Sequence, residues 1–481
     1  MLKIDRLFSD HMVLQREKEI RIWGTCSKDH PEIPVTVTLG ERIVKAAVES
    51  SGKWIAVFMP MHTARKLALT VECGEEKLTV TDVCIGEVWV AAGQSNMEFY
   101  MRYDQDCLSE KETCQSADIR FFDVPEVCYE DQETEHDYSR MGYWRKCTAE
   151  DLEYFSAVAY YFAKTLNSDL EIPVGIIGCN RGGSIAAAWM SPEELKKHGQ
   201  VWLQEYSSIT DTGEELDTFR RSPLADTGNP FADPVNEELL FGMARDKQLQ
   251  IMSLMPKELQ NPGPGFNNRP GCLYQWMLKQ IVPCSVRGIL WYQGESDAPF
   301  AEHYKEIFRD LIRSWRKLWK ENLPFCCVQL APFGAWMACD GTAFPTIRQA
   351  QEEIADEEKN VYLISTSDVC MRYDIHPKKK KPVGWRLAIC AEKHVYGLRR
   401  QADAPVGKRV CVQDGKQELE ICRENIYVKG KTLVIPLKNA ENITTMKPRA
   451  EFAQTGYYEV NLYSDAEIPA MPFVCEIETA G

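Results

Sequence analysis

Basic charge is scarce in this 481-residue chain: 56 Lys and Arg stand against 71 Asp and Glu, a formal net charge of −15. That excludes nucleic acid as a principal partner, because phosphate contacts need clustered cations. Long apolar runs are missing too. None approaches the roughly 20 residues of a membrane span, so no membrane partner is expected. The opening stretch MLKIDRLFSDHMVLQ lacks the basic-then-apolar order of a secretory leader. Cysteine is plentiful, at 18 residues, but a cysteine framework is lacking. There is no C-x-x-C, and Cys326 and Cys327 are adjacent, which suits a local bridge poorly. Free thiols in a reducing cytoplasm are therefore expected. No H-E-x-x-H and no Cys/His cluster at zinc spacing occurs, so no metal is implied. Walker A and G-x-G-x-x-G patterns are absent as well, and no cofactor is expected.

What is present is the composition of a globular chain, 44% hydrophobic and 10% aromatic, long enough for two or three domains. Residues 1–80 read as a small β domain. PVTVTLG places Val35, Val37 and Leu39 on one face, and KLALTVEC repeats the alternation with Leu67, Leu69 and Val71. Residues 81–402 alternate short apolar runs with amphipathic helices. The runs are VWVAAG, IRFFDV, PVGIIG, RGILWYQG, FCCVQLAPF and VYLISTSD. Apolar stripes predict helices over 149–167 and 302–319, the first with a capping box from Thr148 and Asp151. Such alternation predicts an α/β fold with a parallel sheet wrapped by helices. A charged segment, about 192–262, interrupts the order and has no assigned place. Residues 403–481 return to strands.

Ligands of an open parallel sheet gather beyond the carboxyl ends of its strands. VWVAAG ends in Gln94-Ser95-Asn96. PVGIIG leads to CNRGGS, with Gly182 and Gly183. GILWY leads to Gln293, Glu295 and Asp297. VYLISTSD leads to Asp374 and His376. This is a set for acyl transfer. Ser95 is the candidate nucleophile and needs a base to take its proton. His376 is the natural base, since imidazole titrates near neutrality. A carboxylate, Asp374 or Glu295, would fix its tautomer, with Asp374 favoured because it lies two residues before His376. The Ser95 N–H, the Gly182/Gly183 loop and the Gln293 amide are the expected oxyanion donors.

Singly, each feature is commonplace. Most turn serines are structural, and a glycine pair can simply open a helix. The Lys378–Lys381 run reads as a solvated helix start, and the sequon at Asn442 has no meaning in a cytoplasmic protein. Coincidence of all four loops at predicted strand ends carries the reading. The G-x-S-x-G elbow of α/β-hydrolases is excluded, because Met97 holds its fifth position.

LFSDHMVLQREKEIRIWG, WVAAGQSNMEF, PVGIIGCNRGGSIAAAWMS, GILWYQGESDA and DIHPKKKKPVGWRLA together resemble the sialate O-acetylesterases, carbohydrate esterases of the SGNH (GDSL-like) superfamily. The resemblance implies a flavodoxin-like three-layer α/β/α domain with β-sandwich-like accessory regions. It implies a Ser95 nucleophile, a His376 base and an oxyanion hole from Ser95, Gly182/Gly183 and Gln293. It also implies an acetylated carbohydrate as partner and hydrolysis through an acetyl-serine, with sialic acids as first substrate. Acetyl-xylan or another plant glycan is the alternative substrate, and a non-catalytic sugar-binding protein the alternative class. Oligomeric state is not legible. Two departures are expected to line the sugar pocket: Arg181 where the family's W-G-G begins, and LYQWML near Tyr274. The usual D-x-x-H spacing is also broken, since Tyr373 stands three before His376.

Overall fold

The computed structural model describes the chain apart from residues 28–33, 136–137, 208–243, 255–267, 338, 399, 405–409, 413–416, 422–426, 430–431, 435–436, 440–448, 461 and 480–481. Most of the 192–262 segment and Asn442 thus lie outside the described residues.

The apolar runs do become strands. They are β1 (Glu76–Gly93), β2 (Ser116–Asp123), β4 (Val174–Asn180), β5 (Gly288–Tyr292), β6 (Phe325–Val328) and β7 (Val361–Ile364), and an edge strand that none of those runs announced, β3 (Trp144–Cys147), joins them. Their order is β3-β2-β4-β1-β5-β6-β7. All neighbours run parallel except the edge pair β3 and β2. β4, β5 and β6 are buried at every position, as strands covered on both faces must be.

The covering helices are α1 (Ala157–Leu170), α3 (Tyr304–Trp319), α4 (Phe344–Glu357) and α5 (Lys381–His394), with α2 (Arg245–Leu254) in the interrupting segment. α1 packs on α5, and α3 on α4. Trp89 of β1 meets Phe162 of α1 at 5.2 Å between ring centroids. Trp291 of β5 meets Trp315 of α3 at 5.6 Å. Trp291 pairs with Ala92, three residues from Trp89, so the two tryptophans face opposite sides of the sheet. Each is essentially fully buried. Truncation of one to Ala would cost roughly 3–5 kcal/mol.

The 149–167 helix is corrected. Thr148 Oγ1 accepts the Asp151 N–H at 3.1 Å and donates to Asp151 Oδ2 at 3.0 Å. Only a 3₁₀ turn follows, Asp151–Tyr154, after which Phe155 is extended. Ser156 then caps α1, its Oγ accepting the Ala159 N–H at 3.1 Å. A second cap overrode the continuous apolar stripe. The 302–319 expectation matches α3, which stops where Lys320 turns left-handed.

β1 ties the two N-terminal regions together. Its first part pairs antiparallel with strand Ala64–Cys73, and Cys84–Gly86 pairs with Val13–Gln15. Its last part, Glu87–Gly93, lies between β4 and β5. Residue 80 therefore falls inside one continuous strand. Val35, Val37 and Leu39 are buried on one face as their alternation predicts. Near the C-terminus, Phe473–Thr479 pairs with Val410–Val412 and with Arg449–Phe452.

Candidate active site

The chain leaves β1 toward β2 on one side, returns as β4, and crosses to β5 on the other. This reversal opens a crevice at the carboxyl end of β1, where ligands of such sheets bind. Gly93 ends the strand at φ +138°, and a Cβ there would stand 2.1 Å from the Tyr292 carbonyl oxygen. Only glycine permits that approach. The chain then turns into a single helical turn, Ser95–Glu98, with Ser95 at its start.

His376 Nε2 lies 2.8 Å from Ser95 Oγ, although 281 residues separate them. Its loop follows β7, and Trp336 stands edge-on to the imidazole at 5.4 Å between centroids. The expected nucleophile and base therefore meet at hydrogen-bond distance.

Both candidate acids are close, in different company. Asp374 Oδ1 accepts the backbone N–H of His376 at 2.8 Å, the local turn an aspartate makes two residues on. The same oxygen is 3.8 Å from His376 Nδ1. Glu295 Oε1 instead accepts from Asn96 Nδ2 at 2.6 Å. Asn96 Nδ2 also reaches the Ile375 carbonyl at 3.0 Å. Burial raises the pKa of Asp374, and the His376 N–H, Lys380 and Lys378 oppose it. Burial likewise raises Glu295, opposed by hydrogen bonds and by Lys380.

Gly182 comes up against the nucleophile turn: a Cβ there would stand 3.7 Å from Ser95 Cβ and 3.0 Å from Glu98 Oε2. The Gly182 N–H is turned to the Glu98 carboxylate. Gly183 adopts φ +70°. Gln293 is placed differently from its sequence expectation. It is fully buried, and its amide nitrogen donates to the Ser184 carbonyl, at 3.1 Å, and to Asp297. Tyr304 donates to its Oε1 at 3.1 Å. Both amide hydrogens are thus engaged, one joining the β5 loop to the Gly182/Gly183 loop and one closing on Asp297 within the β5 loop itself. Gln94 makes a similar tie: its Oε1 accepts the N–H of Gly294 at 3.1 Å and of Ser296 at 3.2 Å. Asp297 Oδ2 also takes the Ala186 N–H at 2.9 Å.

Three residues escaped the sequence reading. Lys380 was expected on a solvated face, but it is fully buried and donates to Asn96 Oδ1. A run of four lysines carries no periodicity that could single it out. Arg181 was expected to line the sugar pocket, but it pairs with Glu126 beneath the glycine loop, its side chain 12% exposed. A buried carboxylate captured it. Gln248 of α2 accepts the Met337 N–H at 3.0 Å and donates to the Tyr373 carbonyl at 3.2 Å. Part of the interrupting segment thus borders the His376 loop. Among the described residues no cluster suited to a metal ion occurs, and no helix is long and apolar enough to cross a membrane.

The architecture is that of known carbohydrate esterases. A carbohydrate acetylesterase from Xanthomonas citri superposes with a TM-score of 0.73 at 23% identity, covering 98% of this chain and 99% of that one, so the two share a fold. Residues 260–388 match the family model "Carbohydrate esterase, sialic acid-specific acetylesterase". The sialate O-acetylesterase of Mus musculus is 28% identical over 444 residues, 83% of this chain and 75% of that protein. The Homo sapiens sialate O-acetylesterase is 26% identical over 431 residues, 81% of this chain and 70% of that protein. The resemblance read from the motifs therefore extends over most of the chain: it is an ester hydrolase similar to the sialate O-acetylesterases.

Proposed function

We propose that this chain is a serine esterase that removes O-acetyl groups from sugars, with acetylated sialic acids as the first substrate class. The carrying observation is the 2.8 Å contact between Ser95 Oγ and His376 Nε2 at the sheet crevice. In this reading His376 takes the hydroxyl proton as Ser95 attacks the acetyl carbonyl. Asp374 is the orienting acid, favoured by its proximity to Nδ1. The Ser95 N–H and the Gly182/Gly183 loop stabilise the oxyanion, with Gln293 holding that loop in place. The sugar leaves as an alcohol bearing the proton from His376. Water, deprotonated by His376, then attacks acetyl-Ser95 and releases acetate. No step needs a cofactor.

The helix pairs on opposite sheet faces support the flavodoxin-like three-layer SGNH arrangement, and β1 changes partners between Ile85 and Glu87, a few residues past the boundary expected at residue 80. A cytoplasmic setting, expected from the sequence, remains part of this proposal.

Turnover of p-nitrophenyl acetate by wild type and Ser95→Ala tests the mechanism. The variant should lose several orders of magnitude in kcat while keeping its fold. Near-wild-type turnover would end this reading. A screen of acetylated sialic acids against acetylated xylo-oligosaccharides then selects the sugar.

A further inference from the structure

We propose that Lys380 is a positioning residue of this active site: a buried cation that, through Asn96, locks the Ser95 turn to the His376 loop and keeps the neighbouring carboxylates ionised. The inference rests on the esterase reading above.

Lys379 and Lys381 on either side are exposed, whereas Lys380 is sealed in. Its Nζ donates to Asn96 Oδ1. Asn96 is the residue after the nucleophile. Its Nδ2 reaches the Glu295 carboxylate at 2.6 Å and the carbonyl of Ile375, next to His376, at 3.0 Å. One carboxamide thus joins the nucleophile turn, the base loop and the β5 loop, and Lys380 occupies its acceptor. The ammonium lies over the Phe99 ring at 4.5 Å and the Tyr292 ring at 5.6 Å, whose faces favour a cation. The Lys380 backbone N–H is fixed by Asp104 Oδ2 at 2.9 Å.

The charged groups around it come from three elements: Glu295 after β5, Asp374 on the base loop, and Asp104 before α1. Asp374 Oδ2 and Glu295 Oε2 are buried without a hydrogen-bond partner among the described residues. Oxygens left this way stay ionised only beside a compensating charge. Burial lowers the Lys380 pKa to about 7, and the three carboxylates pull against that fall. Removing the cation would raise both active-site acids, so Asp374 would protonate at higher pH and cease to orient the imidazole.

Two substitutions separate charge from hydrogen bond. Lys380→Met removes both, and Lys380→Gln keeps an N–H for Asn96. Each is assayed with p-nitrophenyl acetate across pH, beside Ser95→Ala. Competent sites are counted by stoichiometric labelling with a fluorophosphonate. Lys380→Met should label fully yet lose about 10²-fold in kcat, the effect of a misplacement near 1 Å, with KM little changed. The acid limb of its profile should move up by about one pH unit. Lys380→Gln should recover part of kcat at high pH and keep the shifted limb. Wild-type kcat and profile in Lys380→Met, with Ser95→Ala inactive, would overturn the inference alone. Activity in Ser95→Ala would overturn the esterase reading instead. Failure of both Lys380 variants to fold would assign the cation to stability and also refute a positioning role.

Discussion

Glu295, on the loop after β5, and Asp374, on the loop after β7, are both buried near the Ser95 turn and His376, and each has one oxygen unpartnered among the described residues. Their engaged oxygens face different things. Asp374, after β7, touches His376: its Oδ1 holds the His376 N–H and lies 3.8 Å from Nδ1. Glu295, after β5, touches the Ser95 turn through Asn96. Equal burial and equal chemistry thus yield two jobs, set by which neighbour each carboxylate meets. On the Asp374 side, charge should matter to the reaction. On the Glu295 side, geometry should matter more than charge.

The sharpest break of that contrast is Asp374→Asn, which removes charge with little change of shape. Its kcat should fall by roughly 10³–10⁴, the order seen when a triad acid loses its charge. Glu295→Gln keeps an oxygen for Asn96 and should cost only about 10-fold by comparison. Both are read as kcat on p-nitrophenyl acetate with circular dichroism as the folding control. If Glu295→Gln were the more damaging, the two roles would have to be exchanged.

Gln293→Ala sits between the loops. It strips Asp297 and the Ser184 carbonyl of a donor, so about 1–3 kcal/mol of stability should go with activity. A loss of kcat at unchanged melting temperature would return Gln293 to the oxyanion hole.

A smaller effect concerns Glu98, pushed up to about 8 from an ordinary 4.5, chiefly by burial and then by Glu126. Below the ordinary value, folded and unfolded chains both hold this proton. Between 4.5 and about 8 only the folded chain keeps it, so this group's contribution to stability declines as pH rises through that window. Glu98→Gln should flatten the melting temperature over that range. An unchanged pH slope would refute the assignment.

Much of this was legible in the sequence because strands buried on both faces leave continuous apolar runs, and glycines mark where they stop. Ser95, Gly182, Gln293 and His376 could be placed on one edge by that punctuation alone. What could not be read depends on partners far away in sequence. Lys380 is distinguished from three neighbouring lysines by distant partners such as Asn96, 284 positions earlier. The engagement of Gln293 depends on Ser184 and Asp297, and the burial of Arg181 on Glu126. The 149–167 stripe misled because Ser156 caps a second helix within it.

The most direct test of the central claim is to trap the covalent intermediate. Enzyme mixed with excess p-nitrophenyl acetate and quenched in acid within one turnover should yield, on peptide mass spectrometry, a single acetyl group on Ser95. Slowing deacylation with His376→Ala or Asp374→Asn should help it accumulate if acylation is slowed less. Ser95→Ala should carry none at that site and release no burst of p-nitrophenol. A burst with the acetyl group on another residue, or undiminished turnover in Ser95→Ala, would contradict the assignment of Ser95 as nucleophile.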